Sequence, residues 1–306
     1  MKIFRSFEEA INLKNPVITT GSFDGVHIGH KTILNRLNFL AGMHNGESVL
    51  ITFDPHPRKV LYPDTAGKDL KLINSQEEKL DLLEKAGLNN IIIIEFTKEF
   101  SRISSEAFVR DILHGILHAK VVVVGFNHHF GFNQEGDYRK LWEWQGKYDF
   151  DAEEIPEQEV QNETVSSTKI RKAISEGYIQ RANAYLDHYY MIMGMAERYI
   201  SDENDKLPPL LKISLTEKCK LLPSPGIYAV SIEAGTGYSK GMAIINRGGD
   251  DVSDVIISIF DNLNFLQNQK ITSFFHKKIH DAVNLADSKS ILKIRLAKEE
   301  ILELIY

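Results

Sequence analysis

One cysteine, Cys219, is all that the 306 residues contain. A single thiol excludes an internal disulfide framework and any cysteine-rich metal cluster. With no activating motif around it, that thiol reads as a buried or half-buried side chain rather than a nucleophile. Long apolar runs are missing too. No stretch approaches the roughly 18 residues of a membrane span, and the opening MKIFRSFEEAINLKN has no uninterrupted apolar core of the kind a secretory signal carries. Basic charge is not in excess: the formal net charge is −6, which gives no bulk attraction to nucleic acid. The chain has neither a Walker A loop, GxxxxGK[ST], nor a GxGxxG dinucleotide fingerprint. Internal repeats and low-complexity tracts are absent as well. What is left, 43% hydrophobic and 25% charged, predicts a cytoplasmic globular protein of one large domain or two ordinary ones. How many copies assemble is not written in the sequence.

The first part alternates strands and helices. PVITT (16–20), SVLITF (48–53), IIIIEF (91–96) and VVVVG (121–125) are short, β-branched and continuously apolar. Such runs predict strands covered on both faces, hence a parallel sheet with helices on each side. Between them, KTILNRLNFLAGM has helical spacing, with Gly46 beyond it as a stop. Ser75 and Glu78 have the arrangement of a capping box, opening a helix that stops at Gly87. SSEAFVRDILHGIL predicts a helix capped by Ser104. After about residue 188 the character changes. GIYAVSIEAGTGYSKGMAIINRGG predicts two or three strands with a glycine-rich hairpin at 235–237, DVIISIFDN another strand, and SILKIRLAKEEILELIY an amphipathic terminal helix. The polar stretch SDENDKLPP (201–209) predicts a loop.

The turn GSFDGVHIGH (21–30) follows the first of these strands. In an open parallel sheet, ligands bind at the carboxyl ends of the strands. A glycine-rich strand-to-helix turn presents backbone N–H groups and a helix N-terminus to an anion. Gly21, Gly25 and Gly29 permit close approach of a phosphate, and His27 and His30, three apart, can face one side. Spacing alone also fits a glycine turn with two surface histidines.

The same turn resembles the GxFDGVHxGH motif of the bacterial bifunctional riboflavin kinase and FAD synthetase family. Four more segments resemble that family in order: TFDPHPRKVL (52–61), LINSQEEKLDLLEKAGL, VVVGFNHHFGFNQEGD (122–137, against VGxDFxFGxxxxGD) and VSSTKIRKAISEGYIQRANAYL (165–186). The resemblance implies a Rossmann-like HxGH nucleotidylyltransferase domain over 1–188 and a small β-barrel with a C-terminal helix over 189–306. It implies transfer of AMP from ATP to FMN, with Mg²⁺ carried on the ATP phosphates, yielding FAD and pyrophosphate. His27, His30 and Arg171 would be catalytic. Gly21, Ser22, Phe23, Asp24, Gly29, Ser166, Ser167 and Thr168 would hold the nucleotide, and Asp54, His56 and Asn127 the flavin. Each group has a plainer role open to it: Ser166–Thr168 as a helix cap, Asp54–Pro57 as a rigid turn, Asn127 as a turn cap. A dedicated transition-metal site at the adjacent His128 and His129 is not expected, since neighbouring side chains diverge. The implied partners are small-molecule substrates, with no nucleic acid and no membrane.

The second half resembles the riboflavin kinase barrel in KLLPSPGIYAV (220–230), YSKGMAIIN and ISIFDN, but it departs at the chemistry. No glycine-rich GxGRGxxLGFPTAN segment precedes KLLP. The metal-holding threonine and asparagine slots fall on Leu210 or Leu211 and on Lys212 or Ile213. The general-base slot is Ile256, the following histidine slot Ser258, and a late arginine falls on His280. Aliphatic side chains cannot ligate Mg²⁺, and the run Asp202–Asp205 would repel ATP. The sequence therefore predicts a vestigial kinase half. Three other readings stay open: a bifunctional enzyme with a divergent kinase site, a flavin- or nucleotide-binding regulator that does not catalyse, and an adenylyltransferase for another acceptor.

Overall fold

The structure is a computed structural model that describes residues 1–160, 163–199, 210–235, 237–247, 253–260, 268–283 and 288–305. The chain divides into two compact units. One comprises Met1–Leu70 and Lys79–Val165, the other Lys71–Glu78 and Ser166–Tyr306.

The first unit is built on six parallel strands: β1 (Lys2–Phe4), β2 (Val17–Thr20), β3 (Ser48–Asp54), β4 (Asn90–Glu95), β5 (Val121–Gly125) and β6 (Asp151–Ile155). They lie in the order β1-β4-β3-β2-β5-β6. Every pairing is parallel, with Val17 opposite both Ser48 and Val121. The order reverses between β2 and β5. This is the topological switch point, and it fixes where a crevice opens at the carboxyl ends of the strands.

Both faces are covered, as the continuous apolar runs require. On one face α1 (Ile28–Met43) packs on β2, β3 and β5 and buries Leu34, Leu37, Leu40 and Ala41. On the other, Ile18, Val49, Ile51, Ile92 and Val122 pack against Phe108, Val109, Ile112 and Leu113. Each such side chain, fully buried, contributes about 2 kcal/mol. The helix capped by Ser104, whose Oγ accepts from the Ala107 N–H at 3.2 Å, begins as α-helix and continues from Phe108 to His114 as a π-helical turn. Gly46 lies beyond the end of α1, its N–H donating back to the Ala41 carbonyl at 2.8 Å. His44 closes the helix, and Gly46 is needed because a Cβ there would lie 2.1 Å from the Asn15 carbonyl oxygen. The remaining helices are α2 (Pro57–Leu61), α3 (Gln76–Lys85) and α5 (Tyr138–Tyr148), with Ser105–Ala107 as α4; a small hairpin pairs β7 (Glu159–Val160) with β8 (Glu163–Thr164). Residues 161–162 between them lie outside the described residues.

The second unit opens with α6 (Ser167–Ser175) and α7 (Ile179–Leu186), followed by six antiparallel strands. These are β9 (Tyr190–Arg198), β10 (Leu210–Ser214), β11 (Gly226–Ala234), β12 (Gly237–Arg247), β13 (Ser253–Ile259) and β14 (Lys270–Asp281). They close as a barrel in the order β10-β13-β12-β11-β14-β9. Helix α8 (Ser288–Leu304) packs on β11, β12 and β14 through Ile294, Ala297 and Ile301, which meet Ile227, Met242, Ile244 and Ile256. The terminal helix and the two strands of GIYAV…IINR are those expected from sequence. The expected loop 201–209 with its acidic run, and residue 236 of the expected hairpin, lie outside the described residues.

Deep in this unit Lys220 and Glu78 form an ion pair at 2.6 Å, both 1% exposed or less. The ammonium also donates to the carbonyls of Ile73 (2.6 Å) and Met191 (2.8 Å), and sits 4.4 Å from the Tyr190 ring centre. The carboxylate accepts from the backbone N–H groups of Ser75 and Met193, both at 2.9 Å. Ser75 Oγ in turn accepts from the Glu78 N–H at 3.2 Å, so the capping box read from the sequence forms.

Candidate functional site

Residues 21–30 leave β2 at the switch point and run into α1. The turn is tightly wound: Phe23, Gly25 and Val26 have φ of 48°, 93° and 39°. For a β-branched residue such as Val26 that conformation is costly, of order 1–3 kcal/mol. Complete burial of Val26 holds it in place. His27 takes the N-cap position with extended backbone, and its carbonyl accepts the first helical bond, from Lys31, at 2.9 Å. The N–H groups of the first turn therefore have no helical acceptor and are available to an anion.

The His27 and His30 rings stack with centroids 3.7 Å apart, and Phe23 stacks on the far side of His30 at 4.4 Å. Gly29 makes room for this: a Cβ there would lie 3.3 Å from the His27 ring. Burial, then the neighbouring His27 and the ammonium of Lys79, push the His30 pKa well below its ordinary value. His30 is thus a neutral hydrogen-bonding group near pH 7. Lys79, only 8% exposed, lies beneath the turn, with Nζ 3.3 Å from Thr52 Oγ1 and 3.5 Å from the Ser22 carbonyl. Sequence reasoning passed over Lys79. Its signal was its position on the stripe Lys79–Leu82–Leu83 of α3, where a charge on an apolar face needs a partner inside.

Two clefts flank the turn. One, of about 310 Å³, is lined by Gly21, Ser22, Phe23, His27, Gly29 and His30 together with Asn127 and the chain after β6. The other, of about 420 Å³, is walled by aromatic rings, among them Phe53, Phe96, Phe100, Phe108 and Phe130, and opens beside Arg58 and Tyr62. Its rings pack edge to face, as Phe53–Phe96 do at 5.3 Å and 75°. Thr20, Gly21, Ser22 and His128 line both clefts.

The residues singled out in the sequence distribute unevenly. Gly21, Ser22, Phe23, Gly29, His27 and His30 gather at the first cleft. Asp24 is buried within the turn. His56 lines the aromatic cleft, and its Nδ1 also accepts from the Arg58 N–H at 3.2 Å, so it caps α2 as well. Asn127 lines the histidine cleft rather than the aromatic one, and Asp54, exposed at the end of β3, contributes to neither. Ser166, Ser167, Thr168 and Arg171 lie on or beside the first turns of α6, which belongs to the second unit. Ser166 Oγ accepts from the Lys169 N–H at 3.4 Å, an N-cap. Among the described residues, no three His, Cys, Asp or Glu side chains gather in a metal-binding group, and no helix is long and apolar enough to cross a membrane.

A switch-point cleft on a parallel α/β unit, followed by a closed antiparallel barrel with a terminal helix, defines the class: a Rossmann-like nucleotidylyltransferase architecture joined to a riboflavin kinase-type barrel. The chain belongs to the FAD synthetase family, whose sequence profile matches residues 10–169. A bifunctional riboflavin kinase/FMN adenylyltransferase of Listeria monocytogenes is 32% identical over 80% of this chain and 76% of its own length. One of the same description from Buchnera aphidicola is 28% identical over 98% of this chain and 96% of its own. Among solved structures, one described as a macrolide-efflux protein from Streptococcus pneumoniae superposes with a TM-score of 0.87 over the full length of both chains. It is 21% identical, so that likeness speaks to fold alone.

Proposed function

We propose that this chain transfers AMP from MgATP to FMN. An FMN phosphate oxygen attacks the α-phosphorus in line, the bond to the β-phosphate oxygen breaks, and pyrophosphate leaves carrying the Mg²⁺. Such a reaction needs positioning and charge stabilisation more than a covalent group. The observation that carries the reading is the stacked His27–His30 pair at the switch point, with His30 held neutral, at the N-terminus of α1 and next to an aromatic cleft. Imidazole N–H groups and first-turn amides would hold the phosphates as charge builds on the leaving group. The aromatic cleft would hold the flavin ring, with His56 at its rim. For Ser166, Ser167, Thr168 and Arg171 the support is the family resemblance of their segment, which implies hydroxyls and a guanidinium for phosphate. We take 1–188 as the adenylyltransferase module, because it contains all of these residues, and 189–306 as the barrel module. The setting is the cytoplasm, where ATP and FMN are available.

We further infer that the barrel no longer phosphorylates riboflavin. Leu210 and Leu211 are buried on β10, and Ile256, at 1% exposed, packs among Ile244, Met242 and Ile294. None can ligate a metal or accept a proton. Ser258, in the histidine slot, is fully buried on β13. Incubation with MgATP and either riboflavin or FMN tests both statements. FAD should form from FMN, and no FMN from riboflavin. FMN formation overturns the loss of kinase activity; absence of FAD overturns the transferase reading.

A further inference from the structure

His128 stands at the junction of the two clefts. It follows β5 at the switch point, in a turn fixed by its own N–H donating to the Gly125 carbonyl at 3.0 Å and by Asn127 at φ 58°. Its ring lies nearly parallel to that of Phe130, at 20° and 6.1 Å. Nε2 is covered and has no hydrogen-bond partner among the described residues. The family segment VGxDFxFG carries phenylalanine at this position, so packing alone would be served without a nitrogen.

An unsatisfied, covered polar atom costs about 1–3 kcal/mol. The ring must turn this covered nitrogen toward one of the clefts that His128 lines before a ligand there supplies the missing partner. The ligand that would pass this point follows from the proposed function, on which this inference rests. With a flavin ring in the aromatic cleft and ATP in the histidine cleft, the arm joining ring to reacting phosphate must cross between Thr20–Ser22 and His128. We propose that His128 contacts the substrate there, its imidazole hydrogen-bonding the ribityl-phosphate arm of the flavin nucleotide and so setting affinity for that substrate and not for ATP. Burial, and then the adjacent His129, hold the ring neutral, with a pKa of about 4. The contact is therefore a neutral hydrogen bond and not an ion pair. Neutral hydrogen bonds are worth about 0.5–1.5 kcal/mol net, or up to about tenfold in affinity.

The test compares the full-length wild type with His128→Phe, the residue of the family segment, and His128→Gln, which keeps a hydrogen-bonding group. FMN binding is followed by quenching of flavin fluorescence, and KM is measured for FMN and for ATP separately. The expected result is that His128→Phe raises Kd and KM for FMN about tenfold and leaves KM for ATP within twofold. His128→Gln should recover most of the loss. Circular dichroism and thermal unfolding confirm that both variants fold. An unchanged FMN affinity in His128→Phe, an equal rise for both substrates, or His128→Gln behaving as His128→Phe would overturn the assignment. Should the wild type form no FAD, the transferase reading fails by itself, and the fluorescence titration still decides whether His128 binds the flavin nucleotide.

Discussion

Two imidazoles with centroids 3.7 Å apart cannot both carry a proton cheaply, and burial and the Lys79 ammonium make protonation of His30 costlier still. His30 therefore works as a neutral donor, fixed against the His27 ring before substrate arrives, which is how preorganised groups stabilise charge that develops later. Removal of one such donor typically lowers kcat by roughly 10²–10³-fold. His30→Ala is expected to fall in that range in an FAD-forming assay, with folding retained. A rate within threefold of wild type would make the pair merely structural. At this scale, the legible residues were those in the motif. Histidines three apart after a glycine-rich turn declare themselves, whereas Lys79 and His128 did not. Their importance lies in what burial does to them, and a one-dimensional pattern gives no burial for a lysine in a helix or a histidine in a loop. Asp54 shows the reverse: it sits in a motif, yet the end of β3 leaves it exposed outside both clefts.

Among the elements, those with the strongest periodicity were legible: α1, α3, α8, and the four apolar strands β2 to β5. The edge strands of the parallel sheet were not. β1 has three residues and β6 reads DAEEI, because an edge strand can leave side chains in water and so loses the apolar run. β14, with three lysines and two histidines in KITSFFHKKIHD, was hidden for a like reason: its alternation is broken by register shifts against β11. The capping box of α3 was read correctly, but its glutamate proved to have a second task as the partner of Lys220. Removing one member of a fully buried pair leaves an uncompensated charge, at a cost of about 3–5 kcal/mol. Lys220→Met should destabilise the barrel unit by that amount in urea denaturation, and it also leaves the Ile73 and Met191 carbonyls without this donor. A loss under 1 kcal/mol would mean that the site admits water.

For the molecule as a whole, acid sensitivity follows from histidines held neutral. His30, His128 and His276 all have pKa values pushed below the ordinary 6.5, by burial in each case. Such groups bind more protons unfolded than folded below that value, so the stability they supply is present above pH 6.5 and declines as pH falls toward their folded values. Between pH 7 and pH 5 each fully shifted imidazole removes about 1–2 kcal/mol. The urea midpoint should drop over that interval, and His128→Phe should flatten the decline. A midpoint flat from pH 7 to pH 5 in the wild type would contradict the burial of these rings. The exposed carboxylates whose pKa values are lowered, Glu106 by Lys147 and Tyr148, Asp111 by Arg110 and Asp281 by Lys278, add their loss only in stronger acid.

The barrel's ladder runs unbroken from β10 round to β9, and those two strands pair with each other through Leu211 and Arg198. A ring has no first or last strand and so exposes no row of free amides on which a further strand could dock. A protein that meets the described strands of this barrel would grip outward side chains or α8, because among the described residues the closed ladder leaves no edge strand free. For the same reason, a substitution that unfastens β9 from β10 would do more than weaken one fold: it would create two sticky borders at once and invite the chain to polymerise.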